Sequence, residues 1–409
     1  MGKALMVGLS SETIASSDEA NFFGSGTPTT ESTTQVSCTE GATFSNFRTN
    51  VISGNSGTAT FKFRDAGANG NQTFQISGTG TNEDAVNTDV LAAADLFNLA
   101  YTDTGTSSGL SWIAVNVAFA SGHGNFHGSS TLAGVICDAQ SATRFFALAG
   151  PLVIDGTTTE NNVEWTVRGY DSFEALQVRV LANARANNSI FVNRINAADG
   201  SGSITFAAAE TGLKTVTGLG DAITDGQTVN VSITLGTGLE DLNLIAICGA
   251  LKSSSSKSET WCGFPVGGLA RAASTTAHYV QIGGAVTSLT AVTEAQARIK
   301  PGFAAVVSNL RTYLSANTYT ANGTLKCFLN GVEALTTTLT AGGGAGLYEN
   351  SSDTITIDAD DELSFEWLGG TSGDITIHSA GITFAPVVAP SAAIGYWGRS
   401  MRYIATKNR

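Results

Sequence analysis

The 409-residue sequence is poor in charge. Asp, Glu, Lys and Arg make up 13% of it, against a hydrophobic share of 42%. Chains that stay unfolded show the opposite balance, so this scarcity excludes a disordered protein. Among the few charges, acids outnumber bases 34 to 21. A formal net charge of −13 argues against a nucleic-acid partner held through phosphates. Histidine occurs four times, which leaves few bases for a Ser-His-Asp arrangement. The five cysteines, Cys38, Cys137, Cys248, Cys262 and Cys327, are scattered and form no CxxC pair. Such spacing indicates neither a zinc site nor a disulfide framework, and it points to folding in a reducing compartment. No run of about 18 apolar residues occurs, so no transmembrane helix and no membrane partner are expected. The N-terminal MGKALMVGLSSETIASS holds one lysine and an apolar patch too soon broken for a secretory signal.

What is abundant is glycine, with 47 residues, alongside many Ser and Thr. Long Glu/Lys-rich amphipathic runs are missing, and this is the composition of short strands joined by turns. The most informative stretch is 307–331, VSNLRTYLSANTYTANGTLKCFLNG, which reads as strand, turn, strand, turn. Weaker copies precede it. Residues 44–51 read FSNFRTNV, 173–180 read FEALQVRV and 307–314 read VSNLRTYL, with starts 129 and 134 residues apart. Ile113, Ile245 and Ile377 give an independent spacing of 132. A repeat of that length is a whole domain, so the pattern predicts a tandem array rather than a solenoid. We expect an all-β chain of three tandem antiparallel β-sandwich domains, jelly-roll or Ig-like, over 1–130, 131–256 and 257–390, with a short C-terminal tail over 391–409. Sandwich edges invite association, which would let the copies dock around a pseudo-threefold axis.

Local signals fit this plan. Residues 58–63, TATFKF, alternate, and Asn330-Gly331 is a two-residue hairpin signal. Residues 84–99 have helix-forming composition, yet the corresponding stretches 225–233 and 360–367 alternate like strands. We therefore read Asp95, Asp225 and Asp360 as equivalent turn acids, each followed by a strand. The Ser-rich 253–258 reads as a linker, and 287–299 as an inserted loop or short helix.

The search for chemistry finds no catalytic, cofactor-binding or metal-binding set. GTSSG at 105–109 matches GxSxG but lacks the strand-turn-helix context of a nucleophile elbow. His123 and His127, in HGNFHG, have a helical metal spacing on a glycine-flanked stretch that reads as a surface loop. His378 reads as a structural histidine within a strand. DADDE at 358–362 resembles a calcium run without the EF-hand glycine, and reads as a solvated acidic turn. Glu160, Glu164 and Asp171 could form a glycosidase pair, but nothing fixes their separation. GGGAG at 342–346 opens no helix and has no lysine, so it is a loop and not a phosphate cradle. Arg48 and Arg311, in the repeat core, read as strand surface residues. The tail differs in character, because SAAIGYWGRSMRYIATKNR carries four basic residues and no acid. On an acidic body, Tyr396, Trp397, Arg399, Arg402 and Tyr403 are the candidate partner-binding residues of a docking arm, since aromatics and Arg dominate contact energy. The alternative is a tail packed on the third domain.

The pattern SNLRTYLSANTYTANGTLKCFLNG followed by DTITIDADDELSFEW resembles the tandem β-sandwich domains of tailed-phage virion proteins, among them head decoration (cement), fibre and collar components. It covers the repeat cores, less than half of each unit. The resemblance implies a non-enzymatic bacteriophage structural protein without cofactor, made in the host cytoplasm and carried on the virion surface. Its partners would be the major capsid protein or other virion proteins, with a homo-oligomer or pseudo-threefold assembly capping a threefold site. The alternative is a carbohydrate-binding fibre or collar component, or an extracellular adhesin, with a glycan as partner. A polysaccharide-active enzyme is the third reading.

Overall fold

The computed structural model describes residues 2–8, 12–14, 17–20, 31, 35–53, 57–103, 110–121, 124–138, 142–152, 156–238, 241–263, 268–280, 283–285 and 293–387. Among these residues there are six sheets, two short 3-10 turns and no α-helix. Every strand pairing is antiparallel except two short ones.

The sheets fall into three pairs. The first unit contains β1 (Gly2–Gly8), β2 (Glu12–Ile14), β3 (Ser17–Ala20), β4 (Val36–Ser37), β5 (Ala42–Ser53), β6 (Thr58–Asp65), β7 (Ala68–Ser77), β8 (Gly80–Leu91), β9 (Leu96–Asp103) and β10 (Leu110–Ser121). One sheet runs β1-β10-β5-β8 with β2 beside β10, and the other β3-β9-β6-β7 with β4 beside β9. The second unit contains β11 (Gly124–Cys137), β12 (Thr143–Phe146), β13 (Gly150–Pro151), β14 (Trp165–Thr166), β15 (Ser172–Asn183), β16 (Ser189–Ile195), β17 (Ala198–Phe206), β18 (Gly212–Ala222), β19 (Thr228–Thr234) and β20 (Leu242–Lys252). Its sheets run β13-β11-β20-β15-β18 and β12-β19-β16-β17, with β14 beside β19. The third contains β21 (Ser258–Gly263), β22 (Leu269–Ala272), β23 (His278–Val280), β24 (Gly284–Ala285), β25 (Ala305–Asn317), β26 (Gly323–Leu329), β27 (Val332–Leu339), β28 (Gly346–Ile357), β29 (Leu363–Leu368) and β30 (Asp374–Pro386). Its sheets run β24-β21-β30-β25-β28 and β23-β29-β26-β27, with β22 beside β30.

The order β1-β10-β5-β8 thus recurs as β11-β20-β15-β18 and β21-β30-β25-β28. The expected boundary at 130/131 falls inside β11, which pairs along its length with β20, so the second pair of sheets begins at Gly124. Glycines and serines in GNFHGSSTLAG conceal a strand there, because sheet pairing rather than propensity holds them extended.

Fine detail repeats as well. The hairpins β6–β7, β16–β17 and β26–β27 turn at Ala66-Gly67, Asn196-Ala197 and Asn330-Gly331, with first-residue φ of 47°, 51° and 51° and second-residue φ of 84°, 62° and 82°. Two left-handed residues make the turn whose twist matches antiparallel strands. Of the three turn acids, Asp95 stands, and the other two are corrected by two positions and one. In the turn before β9, β19 and β29, the amides of Ala92, Thr224 and Asp358 donate to side-chain oxygens of Asp95, Gln227 and Asp361 at 2.7, 2.8 and 2.7 Å. Asp225 instead accepts from the Gly169 amide, and Asp360 pairs with Lys300.

Strand wins over helix across 84–99 because two acids there turn inward. Asp84 accepts from the Thr73 amide at 2.9 Å, and Asp89 from the Asn71 and Gln72 amides at 2.5 and 3.1 Å, so β8 is fastened to β7. Each unit's core lies between its sheets. In the first, Phe44, Phe47, Phe61, Phe63, Phe74 and Phe97 are buried, with neighbouring rings 5.0–6.4 Å apart. Fully burying one such side chain contributes roughly 1.5–3 kcal/mol. In the second the core is Leu176, Val178, Phe191, Phe206 and Val231, and in the third Leu310, Leu325, Phe365, Trp367 and Ile377.

Candidate assembly interface

The tail residues Tyr396, Trp397, Arg399, Arg402 and Tyr403 lie outside the described residues, as do 105–109, His123 and 287–292. The other sites considered from sequence resolve into structural roles. Glu160 is held by the Arg194 guanidinium at 2.5 Å, which also reaches Asp199. Arg64 clamps Glu31 in the first unit with the same fork, at 2.9 and 2.8 Å. Glu164 is half-buried, and burial raises its carboxyl pKa. Asp171 accepts from the Ser254 amide. Among the described residues, no three or more His, Cys, Asp or Glu side chains are placed to hold a metal. All five cysteines are buried free thiols, and burial pushes Cys262 up to about 12.

What the fold does bring together is one set of positions used three times. Where β5, β15 and β25 pair with β8, β18 and β28, the facing residues are Arg48 and Glu83, Gln177 and Thr215, and Arg311 and Glu349. Arg48, Gln177 and Arg311 point away from their own cores. Each meets a neighbouring unit near the short segment that pairs with β9, β19 or β29, where Val36, Trp165 and Ile299 occupy equivalent places. The next residues are Ser37, Thr166 and Lys300. Gln177 donates to Ser37 Oγ at 2.9 Å, Arg311 Nε donates to the Thr166 carbonyl at 3.1 Å, and Lys300 Nζ sits 2.6 Å from Glu83. Unit 2 therefore docks on unit 1, unit 3 on unit 2, and unit 1 on unit 3, which closes a ring. The first strands β1, β11 and β21 lie against one another at its centre.

Three chemistries fill these like positions. Between units 2 and 1 the contact is mainly apolar, with one guanidinium and no ion pair among the described residues. Ala175, Ile245, Ala246, Cys248 and Ala250 join the first unit's buried cluster, and Arg179 donates to the Gln35 carbonyl.

Between units 3 and 2 the contact is aromatic, with a dry centre and Arg168, 20% exposed, at its edge. Within unit 3, on the face that meets unit 2, Arg311 Nη2 donates to Glu259 at 2.6 Å, with side chains 2% and 0% exposed. Glu259 also accepts from Trp261 Nε1 at 2.7 Å, Thr383 Oγ1 at 3.1 Å and, across the seam, the Arg168 amide at 2.8 Å. The Arg168 guanidinium forks onto Glu349 at 2.9 and 2.6 Å. The Trp165 indole lies 5.2 Å from the Arg311 guanidinium and seats on Gly381, where a Cβ would come within 2.4 Å of it. His127 stacks on Trp261 at 3.7 Å, and its Nε2 is 3.0 Å from the Tyr170 hydroxyl. Burial first, and then the Arg311 charge, depress the His127 pKa to about 3. Burial raises the Glu259 carboxyl, with Arg311 working against it, and raises the Tyr170 phenol.

Between units 1 and 3 the contact is an ion network open to water at its rim. Arg48 pairs with Glu362, and Arg298 Nη1 reaches the same carboxylate at 3.1 Å. Lys300 bridges Glu83 and Asp360, while Asn46 Nδ2 donates to the Gly302 carbonyl at 3.1 Å. Side-chain exposure is 26% for Glu362, 27% for Arg298 and 17% for Lys300. Burial pushes the Glu362 carboxyl up, but Arg48 and Arg298 outweigh it and hold its pKa below the ordinary value. Burial likewise opposes the Lys300 charge, and Glu83 and Asp360 outweigh that too, so its pKa is raised.

Several sequence readings are corrected here. Arg48 and Arg311 are buried, not surface residues, because the outward face of each β5-type strand is covered by the next unit. His127 is buried within β11 rather than on a loop. DADDE is not merely a solvated turn, since Glu362 and Asp360 are part of the seam. The signal that could have found the interface is the recurrence of a long polar residue at one place in every copy of the repeat core.

No family model matches the sequence, and no curated protein matches it. Among solved structures, an insecticidal delta-endotoxin from Bacillus thuringiensis is 9% identical with a TM-score of 0.18, over 61% of this chain and 60% of that one. A Paenibacillus xanthan lyase is 11% identical with a TM-score of 0.19, over 71% of this chain and 30% of that one. The infectious bursal disease virus Gx strain structure is 10% identical with a TM-score of 0.18, over 85% of this chain and 73% of that one. The chain thus spans less than two thirds of the endotoxin and lyase chains. Likeness at this level carries no argument about activity or assembly, and the nearly all-β, several-sandwich architecture rests on the strand pairings of the chain itself.

Proposed function

We propose that the chain is a non-enzymatic structural component of a virion, a capsid decoration protein that binds the major capsid protein or another shell protein and braces its neighbours. The observation that supports this reading most is the closed ring. Three like sandwiches in one chain, each docked on the next through the same positions, form a body with pseudo-threefold character. Such a body matches a threefold-related site on a shell in the way closed symmetric assemblies match their own axes. The resemblance of the repeat core to phage virion sandwiches points the same way. In this reading the basic aromatic tail, 391–409, is the anchoring arm. The test is to band particles from producing cells on a density gradient and probe them for the chain. Its absence from every particle fraction overturns the proposal. Deleting Ser391–Arg409 is expected to abolish particle association, and unchanged occupancy removes the arm while leaving the ring. Saturable binding of the purified chain on a glycan array would move the reading to the carbohydrate-binding alternative.

A further inference from the structure

We infer that the seam between units 1 and 3 is a latch, and that its two faces also join separate copies of this chain. When the latch opens, the Arg48 face of one copy takes up the Glu362 face of another. The inference does not depend on the proposed function.

The first ground is connectivity. Units 1 and 2, and units 2 and 3, are consecutive in the chain, whereas units 1 and 3 meet through groups 217 or more residues apart, namely the polar contacts named above and the packing of β1 on β21, β24 and β30. Nothing in the seam requires both faces to belong to one molecule. The second ground is complementarity. One face offers Asn46, Arg48 and Glu83, and the other offers the Gly302 carbonyl, Glu362 and Lys300 in matching order. Two like faces would set Arg48 against Arg48 or Glu362 against Glu362, so only unlike faces fit. The third ground is exposure. Around the buried Arg48, the side chains of Glu362, Arg298, Lys300 and Glu83 are 17–27% exposed, so water and salt can compete for them.

Exchange leaves the other two seams in place within each copy. A contact between unlike faces either closes on itself or propagates, and two opened copies close as a pair with two full seams. Closure within one chain is favoured by high effective concentration, so pairing between copies depends on protein concentration and on loosening the latch.

Reversing one charge on each face tests this. Arg48→Glu alone and Glu362→Lys alone are expected to open the ring and sediment more slowly than wild type while staying monomeric. The double variant is expected to close again. An equimolar mixture of the two single variants can satisfy both seams only by pairing copies, one seam native and one reversed. Native mass spectrometry should then show a doubled mass, at least about tenfold more abundant than in either variant alone. A mixture that stays monomeric, while the double variant sediments like wild type, overturns pairing between copies. Single variants as compact as wild type overturn the latch itself. Fluorescence of the buried Trp165 and Trp261 reports whether the unit 2/3 seam survives in each variant. Should a variant lose it, wild type labelled with heavy and light nitrogen, opened in molar salt and returned to low salt at high concentration, supplies the same readout. Mixed-isotope dimers support the inference, and their absence defeats it.

Discussion

The seams that unit 3 makes with its two neighbours occupy equivalent places in the fold and differ in almost everything else. Toward unit 2, unit 3 presents its own dry Arg311–Glu259 pair under the Trp165 indole, with four donors on the one carboxylate, and the Arg168–Glu349 pair that crosses the seam lies at the edge, 20% and 11% exposed. Toward unit 1, the charges are forked among six side chains with a wet rim. A dry ion pair contributes little net stability, because desolvation offsets its Coulomb energy, yet breaking it is costly. A wet pair is cheap to break and sensitive to salt. The same repeated position therefore backs a buried aromatic joint on one side and anchors a purely ionic one on the other.

The largest effect is expected from breaking the dry pair inside unit 3 that backs this joint. Glu259→Leu leaves the Arg311 guanidinium buried without its counter-charge, and should destabilise by about 3–5 kcal/mol. Adding Arg311→Met should recover most of that loss. Urea denaturation of the single and double variants checks both, and equal stability of the two would refute the account.

Acid probes the same joint. The His127 pKa is depressed from 6.5 to about 3, so below pH 6.5 the unfolded chain takes up a proton that the folded chain refuses. Stability from this group is lost progressively as the pH falls from 6.5 toward 3, by roughly 1.4 kcal/mol for each unit of displacement. His127→Phe should flatten that part of the stability profile. The Glu259 carboxyl acts in the opposite sense, since a raised pKa favours the folded state as it takes up its proton. An unchanged slope in the variant would mean that His127 is not the group being titrated.

Smaller still is the effect of crowding the indole. Gly381→Ala places a methyl where the Trp165 ring now sits, and overpacking of this kind costs about 1–3 kcal/mol. Thermal unfolding should show the loss, and Trp fluorescence should shift with it. Neither is expected from Gly342→Ala, where a Cβ meets nothing within 4 Å and only the backbone φ of 61° is strained.

The strands, the Asn330-Gly331 hairpin and the spacing of the copies were legible in the sequence because alternation and turn chemistry are local. Asp95, Asp225 and Asp360 were matched by residue type, but Gln227 and Asp361 do the capping, and an amide oxygen serves as well as a carboxylate. The seams were not legible. An arginine facing outward from a strand reads the same whether it meets water or another domain. Only the coincidence of Arg48, Gln177 and Arg311 within the repeat marks that face as covered.

The smallest effect belongs to the wet joint, and its sign separates it from the dry one. Lys300→Met should cost about 1 kcal/mol or less at low salt, and the difference from wild type should vanish as salt screens the network. Glu362 has its pKa held below the ordinary 4.5, so its contribution is complete above that value and lost as the pH falls through the lowered one. Lys300, raised above 10.5, contributes below that value and loses its contribution as the pH climbs through the raised one. The latch is therefore closed over a broad middle range and loosens at both ends, whereas the His127 joint weakens already below pH 6.5. Sedimentation velocity against pH, run beside Trp fluorescence, distinguishes them. If ring opening and indole exposure track each other at every pH and salt concentration, the two seams are one cooperative unit and the contrast between them fails.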